Sequence, residues 1–93
     1  LPTGGNFYAI SNNGNYIQGA TTSDGKIAMN TTNGAAAIFY LDGNHLLSYS
    51  NGQYIGLNAN DWAFEAVGSN DISEITFVVS ANAGECNIQS AAS

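Results

Sequence analysis

The chain has almost no positive charge. Of its 93 residues one is Lys or Arg and one is His, against seven acidic side chains, for a formal net charge of −6. A polyanion is held by several Lys or Arg contacts, and an anionic membrane surface by a basic cluster. Lys26 and His45 supply neither, so nucleic acid and membrane are not expected partners. Charge of either sign is sparse, at 9% of residues, well under the roughly 25% of an average globular chain. A single cysteine, Cys86, excludes an internal disulfide and a four-cysteine zinc site. The expectation for it is a buried thiol acting as a small hydrophobe in a monomer, the alternative being a Cys86-linked dimer. No apolar run approaches the ~20 residues of a membrane-spanning helix. Helical periodicity is missing as well, and the density of Gly and Asn would interrupt a helix.

The place of charge is taken by Asn, Ser, Thr and Gly, eleven of the residues being Gly. An amide- and hydroxyl-rich surface of this kind is common in secreted β proteins, and an extracellular or cell-surface location is the expectation. Leu1-Pro2, with no Met before it, reads as a mature end left by signal-peptide removal. Asn30-Thr31-Thr32 matches the N-glycosylation acceptor pattern.

The length suits one domain, 1–93. Strands are signalled repeatedly, as short apolar or aromatic runs between Gly/Asn/Asp turns. They are expected at Asn6–Ser11, Asn15–Gly19, Lys26–Asn30, Ala36–Leu41, His45–Tyr49, Gln53–Leu57, Trp62–Ala66, Ile75–Ser80 and Glu85–Gln89. The expected core comprises Phe7, Ile10, Tyr16, Ile27, Phe39, Leu41, Leu47, Tyr54, Ile55, Trp62, Phe64, Ile75, Phe77 and Val79. Asn13-Gly14 and Asn51-Gly52 are hairpin signals, since both residue types accept positive φ. They lie 38 residues apart, and the same offset matches Gly5 with Gly43, Asn6 with Asn44, Ala28 with Ala66 and Phe39 with Phe77. The chain therefore reads as one unit written twice, 5–42 and 43–80, followed by a C-terminal tail, 81–93. Four short strands per unit fit two Greek keys packed as a β-sandwich, or a β-trefoil, which needs three units.

The second unit carries Tyr49-x4-Tyr54-x-Gly56, followed by Ser69-Asn70-Asp71-Ile72-Ser73-Glu74 before its last strand. This resembles the aromatic-x4-aromatic-x-Gly hairpin and late Asn/Asp-rich turn of the βγ-crystallin superfamily. The first unit keeps Tyr16 and Gly14 but has Ser11 and Gln18 at the other signature positions. The resemblance implies an all-β sandwich of two Greek keys, with the signature glycine in a conformation closed to other residues. It also implies a calcium site built across both late turns. Asn33, Asp71 and Ser73 match its ligand positions, Ala35 and Ala36 stand where hydroxyls belong, and Glu74 is expected to face away from the core. Calcium binding is accordingly expected to be weak or absent. Small secreted fungal fruiting-body and surface proteins of this type have a similar composition. The Asn-Gly-x-Tyr-Ile pieces also resemble fascin-like trefoil repeats, which keeps the trefoil alternative open.

Catalysis has few candidates. His45 is the only base to pair with a Ser or with Cys86, and it sits beside a surface turn. Asp61 and Glu65, near Trp62, are the nearest to a carboxylate pair. The expectation is a non-enzymatic structural or surface protein without a cofactor. The alternative is a carbohydrate-binding module or lectin, with Trp62, Tyr40, Tyr49 and Tyr54 stacking on sugar rings and cell-wall or extracellular polysaccharide as the partner.

Overall fold

A computed structural model describes residues 2–21, 26–58, 60, 63–68, 72–79 and 86–91. Among the described residues ten strands follow one another: β1 (Phe7–Ala9), β2 (Ser11–Asn12), β3 (Asn15–Thr21), β4 (Ile27–Asn30), β5 (Ile38–Asp42), β6 (His45–Ser48), β7 (Tyr54–Leu57), β8 (Phe64–Val67), β9 (Ile75–Val79) and β10 (Cys86–Ser90). One 3-10 turn, Ala35–Ala37, precedes β5. The all-β class is as the turn spacing predicts. The expected first strand is split at Ile10 into β1 and β2, which join different sheets.

Every pairing is antiparallel. The largest sheet has the order β1-β5-β6-β7-β8, and smaller sheets are β2-β3-β4 and β10-β9. In the first unit β5 lies beside β1, while β2, β3 and β4 are joined hairpin by hairpin. At the expected 38-residue offset β7 and β8 fall on β3 and β4, whereas β6 falls on β1, which pairs with β5 rather than with β3. Both edges of β5 are filled, by β1 and by β6, so the two units share one continuous sheet. The segment read as a tail contributes β10, paired along the whole of β9, with Ser90 buried.

Turn chemistry explains the hairpins. Asn13 (φ 52) and Gly14 (φ 79) both take positive φ between the paired Asn12 and Asn15, as a two-residue type I′ turn demands. The Asn51-Gly52 turn differs. Leu47 pairs with Tyr54, so this hairpin holds two residues more than its counterpart, where Ser11 pairs with Tyr16. The Asn51 side chain is the reason. Its Oδ1 accepts from Gln53 N at 2.9 Å, and its Nδ2 donates to the Gly19 carbonyl of β3. The turn is thereby tied to the first unit.

The core is Phe39, Leu41, Leu46, Ile55 and Ile75, with Tyr8, Ile10, Ile17, Ile27, Phe64, Phe77 and Ile88 packed against it. Three expectations are corrected. Phe7 is 58% exposed. Leu47 and Tyr54 are half-buried beside the buried Leu46 and Ile55, because neighbouring strand residues point to opposite faces and only one of each pair can enter the core. Cys86 is exposed rather than buried: it shares the face of Ile88 and the buried Ser90, but stands at the first position of β10, the end of the strand where burial along that face has fallen away. Trp62 lies outside the described residues, and the Val79 side chain is not described.

Candidate functional site

The large sheet has two apolar faces. Its inner face carries Phe39, Leu41, Leu46 and Ile55 into the core. Directly paired residues project to the same face. On the outer face one such row crosses the sheet: Phe7 pairs with Tyr40, Tyr40 with Leu47, Leu47 with Tyr54, and Tyr54 with Val67. A half-exposed antiparallel sheet ordinarily alternates apolar-in with polar-out. Here the outward positions are aromatic and aliphatic.

Three rings cluster at one end of the row. The Phe7 ring lies 5.1 Å from that of Tyr40, and 5.9 Å from that of Tyr49, edge-on. These spacings are those of favourable aromatic pairs. Phe7 and Tyr49 remain 58% and 63% exposed, so the cluster is presented to solvent rather than packed away. Tyr49 reaches it because its N–H donates to the Ile38 carbonyl at 3.0 Å, fixing the turn over the sheet. Strands stand about 4.8 Å apart, so Tyr40 and Tyr54, with β6 between them, are about 10 Å apart along the row.

Polar groups border the row. Tyr54 donates its hydroxyl to Asp42 Oδ2 at 2.8 Å. That hydrogen bond, followed by burial and the carboxylate's charge, raises the Tyr54 pKa above its ordinary value of 10.0. The His45 ring meets Tyr54 edge-on, with centroids 6.3 Å apart, and Asp42 pairs directly with His45. His45 is half-buried rather than fully exposed, its Nδ1 3.1 Å from the Ser73 carbonyl. Asn6, Ser50, Asn51 and Gln53 are exposed.

The remaining candidates are scattered. Glu65 accepts from Asn58 Nδ2 at 3.1 Å, and its expected partner Asp61 lies outside the described residues. Asn33 is exposed, while Ser73 donates its backbone N–H to the Ile55 carbonyl at 3.2 Å. Asp71 lies outside the described residues, and Glu74 is exposed beside the buried Ile75. Among the described residues no three His, Cys, Asp or Glu side chains converge. Gly52 (φ 69) and Gly14 (φ 79) hold the left-handed conformation, whereas Gly56 does not. Gly56 is buried in β7, paired regularly with Glu65, so no bulge forms there. Tyr16 is half-buried and pairs with Ser11 and Asn30.

Sequence reasoning placed Tyr40, Tyr49 and Tyr54 as ring-stacking candidates and missed Phe7. The signal was present as the two-residue period, but Phe7-Tyr8-Ala9-Ile10 is apolar on both phases and does not say which faces out. Compared with family models, with curated proteins and with solved structures, the chain matches none.

Proposed function

We propose that this is a non-catalytic β module of an extracellular surface or matrix that binds polysaccharide along the outer row of its large sheet. The observation that carries the reading is the outward row Phe7–Tyr40–Leu47–Tyr54, half-buried except at the exposed Phe7, with the exposed Tyr49 against its end. An exposed apolar patch of this kind marks an interaction surface. Its rim favours sugar over a protein partner. Amide and hydroxyl side chains at Asn6, Ser50 and Gln53 pair with sugar hydroxyls as donors and acceptors, and Asp42 adds a carboxylate acceptor. The rings supply flat apolar faces for the C–H side of a pyranose. Aromatic positions about 10 Å apart suit an extended, ribbon-like chain that meets rings at successive sugars.

The pairing pattern favours the trefoil-like alternative over two Greek keys packed as separate sheets. Adjacent units are joined by the β5–β6 hairpin, and β9–β10 repeats that junction. A non-catalytic role is supported by His45, whose hydrogen bond goes to a backbone carbonyl rather than to a nucleophile. Calcium plays no part in the proposal, because Ala35 and Ala36 replace the hydroxyls that a paired site would draw from the first unit.

The test is co-sedimentation with insoluble β-glucan and chitin, comparing the native chain with Tyr40→Ala and Tyr49→Ala. Binding that weakens roughly tenfold per ring lost, or ~1.4 kcal/mol, supports the reading. Unchanged binding in both variants removes the row from it.

A further inference from the structure

Behind the inner face of the large sheet lies an apolar cavity of about 340 Å³. Ile17 and Ile27 line it from the β3–β4 hairpin, Leu46, Ile55 and Phe64 from the large sheet, and Ile88 from β10. It opens to solvent on one side, where Met29 is 47% exposed, and is otherwise walled by apolar side chains from three sheets. Half of its described lining residues are isoleucines, whose stiff branched side chains resist swinging in to close it. Water gains little there, since a bound water needs two to four polar partners. An apolar guest would recover the dispersion contacts that the facing walls lack.

We propose that this cavity is a binding site for one small, neutral, apolar molecule. Its volume lies at the lower end of the range for ligand sites. At about 30 Å³ per water-sized group, it admits roughly ten heavy atoms. Charge argues for neutrality. Among the described residues Lys26 is the one charged residue in the lining, its backbone bridged to that of Glu65 on β8. An anionic ligand would meet a chain of net charge −6, and a cationic one would meet Lys26. The site is separate from the polysaccharide row, being on the opposite face of the same sheet, and the two proposals stand or fall independently.

The test uses naphthalene and naphthalene-2-sulfonate, which share a ring system and differ by one charge. Titration followed by ligand fluorescence and by amide chemical shifts should show saturable binding of one naphthalene per chain, with the sulfonate bound at least tenfold more weakly. Ala63→Phe narrows the cavity from β8's approach and should weaken naphthalene binding at least tenfold. Should that variant lose its cooperative melt, Met29→Trp serves in its place, because Met29 lines the cavity yet is 47% exposed and tolerates a larger side chain. Absence of saturable binding, more than one naphthalene per chain, equal affinity for the sulfonate, or undiminished binding in a folded filling variant would each overturn the proposal.

Discussion

Gly19 shows what a single residue decides. A Cβ at this position would sit 1.9 Å from Ser48 Oγ and 2.7 Å from Ser48 Cβ, with the Ala36 carbonyl oxygen at 3.4 Å. Ser48 is itself 1% exposed and cannot move aside. At Gly14 and Gly52 a Cβ would meet nothing within 4 Å, and only the positive φ opposes it. Gly14→Ala and Gly52→Ala should therefore each cost about 1 kcal/mol, whereas Gly19→Ala adds overpacking of roughly 1–3 kcal/mol; thermal melts will order them. Tyr54 yields a pH prediction. The protonated phenol donates to Asp42, so folding holds the proton and the folded pKa lies above the unfolded one. The stabilisation is complete below the unfolded value and is lost as pH rises through the folded value, on the alkaline side of 10.0. Ultraviolet titration of the phenolates should show one late-ionising tyrosine, which disappears in Tyr54→Phe and moves down in Asp42→Asn. The turn glycines were legible in the sequence, because Asn-Gly has a local conformational meaning. Gly19 was not, because its constraint comes from a residue on another strand.

Strands were legible as elements but not as faces. The breaks at Asn13-Gly14, Asp42-Gly43-Asn44 and Asn51-Gly52 bound β3, β6 and β7 within a residue or two of expectation. The runs Ile38-Phe39-Tyr40-Leu41, Leu46-Leu47 and Tyr54-Ile55 are apolar in both phases, so alternation could not say which residue entered the core. Pairing decides it, since a strand fixed between two neighbours must turn one whole phase outward. A pair of substitutions reads this out. Ile55→Ala, at 4% exposure, should cost about 2–5 kcal/mol. Tyr49→Ala, at 63% exposure, should cost less than about 1 kcal/mol. Denaturant midpoints for the two will separate core from surface. The Ser11/Gln18 departure from the hairpin signature also has a physical sense. Gln18 is 5% exposed, and its Nε2 donates to the Tyr16 and Thr32 carbonyls at 3.1 and 2.9 Å. It anchors the loop after β4 in a way that glycine could not.

Across the whole molecule, five strands joined edge to edge produce one broad sheet with a core on one side and an aromatic row on the other. The joining of β5 to both β1 and β6 was not legible, because it depends on which strand fills each edge of β5. If calcium has no built site, melting temperature should be the same in EDTA and in millimolar CaCl2. A micromolar Kd would instead add about 4 kcal/mol of stability at a millimolar concentration. Carbohydrate binding is the central claim, and the direct measurement is co-sedimentation of the native chain and Tyr40→Ala with insoluble β-glucan and chitin, at matched melting temperature. The account predicts saturable retention of the native chain on one of these polysaccharides and roughly tenfold weaker retention of the variant. No retention of the native chain on either, or equal retention of both proteins, would contradict it.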